Sequence, residues 1–274
     1  MSSKGWLITG ASRGLGRQWA LAALQRGDSV VLGARNPGDV LDIVSEYPGR
    51  ALGVALDVTD RAQIEDAVGQ ACAFLDTLDV VVNNAGYGLF GMIEEVTEEQ
   101  ARSQFEVNVF GALWVTQSVL PILRQQGRGH IIQVSSIGGV QAFPGLGVYN
   151  ASKWALEGFS QALAREVASM GISVTIIEPT AYATDWAFDS AVRSELLPAY
   201  DGVRETWVAA RARLVADRGD PSASARAVLH VVDLDEPPLR LFLGDGPHEV
   251  IRAEYAARLA EWDQFEDLSK SVHK

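Results

Sequence analysis

Thr9-Gly10-Ala11-Ser12-Arg13-Gly14-Leu15-Gly16 follows directly on the apolar run Trp6-Leu7-Ile8 and leads into Arg17-Gln18-Trp19, the start of an amphipathic stretch. A strand, a glycine turn and a helix N-terminus in that order form an anion cradle. The glycines allow a tight turn and a close approach of backbone to a pyrophosphate, and the helix dipole and free N–H groups attract negative charge. A plain strand-to-helix turn is the alternative reading of the same spacing.

Outward from this loop, short β-branched runs alternate with amphipathic stretches. Strands are expected near 4–9, 28–33, 51–56, 78–83, 129–135, 172–178 and 239–243. Helices are expected near 14–26, 37–46, 60–75, 98–126, 149–169 and 222–234. Runs such as Val80-Val81-Val82 and Val174-Thr175-Ile176-Ile177 are apolar on successive residues, as strands are when helices cover both sheet faces. The expectation is an α/β fold, a doubly wound parallel sheet of about seven strands in three layers. All 274 residues are read as one such domain, with an insertion over about 179–220 and a helical tail over about 247–274. Val250, Ile251, Tyr255, Leu259 and Trp262 stand at helical spacing in that tail.

Composition narrows the function. With 47% hydrophobic and 21% charged residues the chain folds, and 35 acidic against 23 basic residues give a net charge of -12, which argues against nucleic acid as a partner. Met1 to Thr9 lacks a basic region followed by a long apolar core, so no signal peptide is expected. The apolar stretch 107–123 is broken by Asn108, Thr116, Gln117, Ser118 and Pro121, and is read as a buried helix rather than a membrane span. The single cysteine, Cys72, excludes an intrachain disulfide and favours a reducing compartment, the cytoplasm; it is expected to be buried and inert.

The second strand decides the cofactor type. Gly33-Ala34-Arg35-Asn36 offers no carboxylate where an NAD site places one for the ribose hydroxyls. Arg35 and Arg13 can instead converge on a 2'-phosphate with bidentate forks. Asp57 is either a contact to an adenine amine or a cap shared with Thr59. In Asn83-Asn84-Ala85-Gly86 the small residues let a ribose lie on the backbone, with Asn83 satisfying buried sheet edges.

Tyr149 and Lys153 share one helix face at i, i+4, and Lys153 is the single lysine outside the termini among four lysines and nineteen arginines. A phenol titrating near 10 is a poor proton exchanger at neutral pH unless a cation stabilises its phenolate, and Lys153 is placed to do so. Ser136 ends the fifth strand, where a hydroxyl can stabilise developing alkoxide charge. Ser135 is expected to pack or to bond the backbone. Asn108 is a polar break in the helix 98–126, able to hold a water near the lysine or simply to mark an irregularity.

Together these motifs resemble the classical short-chain dehydrogenase/reductase family over residues 4–245. The resemblance implies a Rossmann-like fold and hydride transfer at a nicotinamide. It implies Tyr149 as proton donor or acceptor, Ser136 as substrate polariser, Lys153 as cofactor anchor and Asn108 as holder of a relay water. Cofactor contacts are implied at Gly10, Ser12, Arg13, Gly14, Leu15, Gly16, Arg35, Asp57, Val58, Asn84, Ala85, Gly86, Tyr149, Lys153, Pro179, Tyr182 and Thr184, with Arg13 and Arg35 resembling NADP-preferring members. Glu178-Pro179-Thr180 departs from the family's usual Pro-Gly. The expected function is NADP(H)-dependent interconversion of a carbonyl and an alcohol on a small apolar substrate. Phe90, Phe143, Trp186 and Phe188 are expected either to face that substrate or to pack a lid. A non-catalytic NADP-binding sensor is the rival reading, and an epimerase or dehydratase a third; the intact Ser136, Tyr149 and Lys153 argue against the sensor. A homodimer or homotetramer is expected through Phe110, Leu113, Trp114, Trp154 and Phe159, a surface the tail helix can instead cover in part.

Overall fold

A computed structural model describes residues 3–182, 191–214 and 218–273, with the side chains of 208–214 undescribed. Seven parallel strands form the main sheet: β1 (Gly5–Thr9), β2 (Ser29–Ala34), β3 (Ala51–Ala55), β4 (Val80–Asn83), β6 (Gly129–Val134), β7 (Ile172–Pro179) and β9 (Arg240–Leu243). Their order is β3-β2-β1-β4-β6-β7-β9, so the chain winds outward from β1 in one direction and from β4 in the other. The switch between the two directions opens a crevice beyond the carboxyl ends of β1 and β4, where ligands of such sheets bind.

The unbroken apolar runs explain the layering. Along β1, Leu7 enters a core with Val31, Val81, Ile131 and Val174, beneath α3 (Arg61–Phe74), α5 (Ala112–Gln126) and α6 (Gly147–Val167). Trp6 and Ile8 point the other way, into a core with Leu32, Val82 and Ile132 beneath α1 (Gly14–Arg26) and α8 (Pro221–Val232). Both tryptophans of this second core are fully buried with their indole N–H groups bonded, Trp6 to Asp28 at 2.8 Å and Trp19 to Ser224 at 2.8 Å. Between β2 and β3 the chain forms the short α2 (Leu41–Glu46).

The glycine-rich stretch after β4 pairs with the insertion expected over about 179–220. Leu89–Phe90 (β5) and Val192–Arg193 (β8) make a separate two-stranded parallel sheet, followed by α7 (Asp201–Leu214). The helix expected over 98–126 is α4 (Glu98–Phe105) and α5 joined by a π-helical turn, Glu106–Gly111. By length and hydropathy this run could cross a membrane, but it packs against α3, α6 and the sheet as a core helix.

Two expectations are corrected here. Cys72 is exposed, because α3 buries Ile64, Ala67, Val68 and Ala71, and the next position turns to solvent. Partial desolvation nevertheless holds its thiol above the ordinary value. The tail forms α9 (Pro247–Gln264) and α10 (Glu266–Ser271), but its apolar stripe does not pack throughout: Tyr255, Leu259 and Trp262 are exposed, while contacts to the body include His248 edge-on to Phe242 and Arg258 stacked 4.9 Å over Trp154.

Candidate active site

The crevice is a cavity of about 980 Å³ floored by the strand ends of β1, β2, β4, β6 and β7. Its first wall is the glycine loop. Gly10 and Gly14 adopt φ of 63° and 59°, left-handed values that favour glycine. A Cβ on Gly10 would lie 3.0 Å from Ala85 Cα, and one on Gly16 would lie 2.9 Å from the Gly10 carbonyl and closer still to the Asn84 amide. Gly16 is therefore a packing residue under the loop rather than part of the cavity lining. The N-terminus of α1 has no side-chain cap and no acidic residue in its first turn, which leaves its N–H groups open toward the cavity.

Asn84 braces this loop. Its side-chain amide donates to the carbonyls of Thr9 at 2.9 Å and Gly10 at 3.0 Å, and Asn84, Ala85 and Gly86 all line the cavity. Asn83 turns away and donates to Thr116 on α5 at 3.0 Å. Ser12, Arg13, Leu15, Arg35, Asp57 and Val58 all line the same end. Arg13 and Arg35 are exposed and, among the described residues, form no ion pair, whereas Arg17 is tied to Asp42. Asp57 accepts from the amide and hydroxyl of Thr59 at 2.9 and 2.7 Å, but the cap of α3 is Asp60.

Ser136, Tyr149 and Lys153 meet at the opposite end. Tyr149 lies in the first turn of α6, its hydroxyl hydrogen-bonded to Ser136. Burial pushes the phenol up to about 12, and the lowering contact comes from Ser136 rather than from Lys153. Lys153 donates to the Val134 carbonyl at 2.8 Å, and burial pulls it down to about 8 against the opposing pull of the Glu157 charge. Gly86 packs between the groups: a Cβ there would lie 3.0 Å from Asn108 Oδ1 and 3.6 Å from Lys153 Nζ. Asn108 is buried in the π turn, accepts from the Tyr87 amide at 3.1 Å, and donates to the Tyr87 carbonyl at 3.1 Å and Ser152 Oγ at 3.2 Å. It thus locks the 84–87 loop to α6, a use of a π-bulge that the sequence reading, a water holder or a helix irregularity, did not include.

The unusual Thr180 fits without strain. Its amide and hydroxyl both donate to the Leu243 carbonyl, at 2.9 and 3.0 Å, and among the described residues no non-glycine has positive φ. The neighbouring Gly244 has a φ of 115°, and a side chain there would collide with Thr180. Pro179 and Tyr182 line the cavity, with Tyr182 also packed on Gly219. Thr184, Trp186 and Phe188 lie outside the described residues. Phe143 lines the cavity, stacked at 5.4 Å on Trp207 of α7, a residue the sequence reading did not single out. Phe90 does not line it; the side chain lies beneath Arg193, 4.7 Å from its guanidinium.

The short chain dehydrogenase family profile matches residues 4–192. The chain belongs to the short-chain dehydrogenase family. Among curated members, this dehydrogenase is 43% identical to oxidoreductase BOA17 of Botryotinia fuckeliana over 261 residues, 94% of this chain and 93% of the relative. Among solved members, a short-chain dehydrogenase of Streptomyces avermitilis superposes with a TM-score of 0.91 at 39% identity, over 99% of this chain and 98% of the other. Bound cofactors differ between more distant members. An alcohol dehydrogenase of Thermococcus sibiricus, 25% identical with a TM-score of 0.74 over 88% and 96% of the chains, is complexed with 5-hydroxy-NADP. A 3-ketoacyl-(acyl-carrier-protein) reductase of Brucella melitensis, 26% identical with a TM-score of 0.76 over 89% and 98%, is complexed with NADH. The chain is an oxidoreductase of this family.

Proposed function

We propose that this short-chain dehydrogenase interconverts a ketone or aldehyde and an alcohol on an apolar substrate, with NADP(H) as cofactor. The observation that carries the reading is the hydrogen-bonded Tyr149–Ser136 pair, with Lys153 one turn on, at the far end of a cavity that begins at an uncapped glycine cradle. The residues present suit a dinucleotide: Gly10 and Gly14, without side chains, leave backbone facing the cradle, and the open N–H groups of α1 suit a pyrophosphate. Arg13 and Arg35 would take a 2'-phosphate, Lys153 ribose hydroxyls, and Pro179, Tyr182 and Thr184 the nicotinamide side. When bound, the dinucleotide supplies or accepts a hydride.

In the reducing direction Tyr149, neutral at physiological pH because burial holds its proton, gives that proton from its hydroxyl to the carbonyl oxygen. Ser136 donates to the same oxygen and stabilises its developing charge. In the oxidising direction Tyr149 takes the proton back. Phe143, Leu146, Val192 and Trp207 form the apolar wall against which the substrate packs and from which water is excluded. We further propose a homodimer or homotetramer assembled through the partly exposed Phe110 and Trp154 with Leu113, Trp114 and Phe159, and a cytoplasmic location.

A panel of ketones, aldehydes and secondary alcohols tested with NADPH, NADP, NADH and NAD, followed at the nicotinamide absorbance, tests the function. Turnover of an apolar carbonyl or alcohol supports it. No turnover of any member while NADPH binds would favour a sensor.

A further inference from the structure

One helical turn beyond Lys153 lies a second group of ionisable side chains that the proposed chemistry leaves unused. Glu157 stands on the same face of α6, and Glu178 is the residue before Pro179 at the end of β7. Both are buried, Glu178 completely, and the two carboxyls lie within reach of each other. Arg240, half-exposed on the edge strand β9, places Nε 3.1 Å from Glu157 Oε2 and 3.4 Å from Glu178 Oε1, and Nη2 donates to Gln161 at 3.0 Å. Gly139 closes the cluster: a Cβ there would lie 3.1 Å from Glu157 Cγ and would collide with Ser135 Oγ.

Two carboxylates facing one guanidinium in a dry interior cannot both stay ionised, because each charge penalises the other. Neither oxygen of Glu178 accepts a hydrogen bond from the described residues, which suits an acid that donates to Glu157. A buried acid pair is also a poor stabiliser, since apolar side chains of similar volume commonly do as well. The cluster therefore calls for a use other than stability, and its position gives one. Around Lys153, among the described residues, the titratable neighbours are Tyr149 and Glu157 on its own helix, with Glu178 and Arg240 acting through Glu157. The end of β6 and the π turn contribute neutral groups: the Val134 carbonyl, Ser135, Ser136 and Asn108.

We propose that Glu157 and Glu178 share a single proton, carried on Glu178, and that the negative charge left on Glu157 keeps Lys153 protonated and in place. Glu157 is then a positioning residue for the proton transfer at Tyr149, and Glu178 is the neutral partner that fixes it. The opposing effects on Lys153 agree, burial lowering it and the Glu157 charge raising it. The proposal rests on the reading of Lys153 as cofactor anchor.

The test uses the full-length protein and its Glu157→Gln, Glu178→Gln and Arg240→Gln variants, with folding checked by circular dichroism. Infrared spectra at neutral pH should show a protonated-carboxyl carbonyl band that is lost in Glu178→Gln. It should also be lost in Glu157→Gln, where Glu178 ionises against Arg240. The pH dependence of NADPH binding and of kcat/KM should lose its alkaline side near 8 in the unmodified protein. Glu178→Gln, which keeps a donor to Glu157, should leave that limb in place. Glu157→Gln should move it down by roughly half to one pH unit, a charge effect across one helical turn. Arg240→Gln should move it in the same direction, because the pair then takes up a second proton, and this solvent-edge variant decides the matter if Glu157→Gln fails to fold. A missing acid band, an unmoved limb in folded Glu157→Gln, or in Arg240→Gln where that variant decides, or an equal shift in Glu178→Gln would overturn the proposal. An acid band in a protein that turns over no carbonyl would sink the functional reading alone; turnover without the band would sink this one alone.

Discussion

Arg204→Met tests whether α7 is latched over the substrate end of the cavity. Arg204 Nη2 lies 2.7 Å from Glu95 Oε1 and 3.2 Å from the Leu197 carbonyl, and Nη1 lies 3.3 Å from Glu95 Oε2. The Glu95 side chain is fully buried and also accepts from the Met92 and Leu197 amides, each at 2.8 Å. Arg204 above all, helped by these amides, holds its carboxyl down to about 2. Methionine keeps most of the aliphatic bulk and removes the charge, leaving a buried carboxylate with two backbone donors. The pair lies near the surface, with 22% of the Arg204 side chain exposed, so the loss is that of charge-assisted hydrogen bonds, about 2 kcal/mol. About 2 kcal/mol is roughly a 30-fold rise in the population with α7 released. Trp207 leaves Phe143 in that state, so KM for an apolar substrate should rise in proportion to the loss of the closed population, while NADPH affinity, set at the other end of the cavity, stays the same. Proteolytic cleavage within 192–207 should accelerate by roughly 30-fold, since cleavage follows the open population. The folded pKa of Glu95 lies below its unfolded value, so the latch contributes fully above about pH 4.5 and fades only as pH falls toward 2. The variant should therefore behave alike at pH 6 and pH 8. A KM and a cleavage rate both within twofold of the unmodified protein would refute the latch.

Arg35→Asp should reverse a preference for NADPH over NADH in kcat/KM, because a carboxylate repels the 2'-phosphate and accepts from ribose hydroxyls; equal efficiency with both cofactors in the unmodified protein would count against the arginine reading. Lys153→Met should weaken NADPH binding, measured by fluorescence titration, as well as turnover, and should abolish the alkaline limb near pH 8, where Lys153 loses its proton. Trp154→Glu should lower the mass measured by light scattering at micromolar concentration from that of an oligomer to that of a monomer, and a monomeric unmodified protein would remove the interface.

The legible parts of this fold were those written in local pattern. Val80-Val81-Val82 reads as a strand buried on both faces because no residue in it tolerates water, and the glycine loop reads as a cradle because Gly10 and Gly14 occupy left-handed backbone. Tyr149 and Lys153 were visible through helical spacing and the rarity of lysine in the chain. The features that depend on distant partners were not. Leu89–Phe90 pairs with Val192–Arg193 across about a hundred residues, and two-residue strands carry no periodicity. Trp207 reaches Phe143, and Arg204 reaches Glu95, through the same long closure. Asn84, expected as a cofactor contact, lines the cavity and also braces the glycine loop, a role that depends on two backbone carbonyls no side-chain pattern records. Thr180 departs from the family's usual glycine, and its fit rests on the distant Leu243 carbonyl, which accepts from both its amide and its hydroxyl.

The central claim, that Tyr149 exchanges the proton as hydride moves, is tested most directly by single-turnover reduction of the best carbonyl in the panel by Tyr149→Phe. The substitution keeps the buried ring against Gly138 and removes the hydroxyl that meets Ser136, so folding and NADPH binding should survive. Acid catalysis of this kind is typically worth about 100- to 10,000-fold. The rate of nicotinamide oxidation should fall by at least the lower figure while the NADPH dissociation constant stays within a factor of two. A rate near that of the unmodified protein, with cofactor bound, would place the proton donor elsewhere and contradict the account.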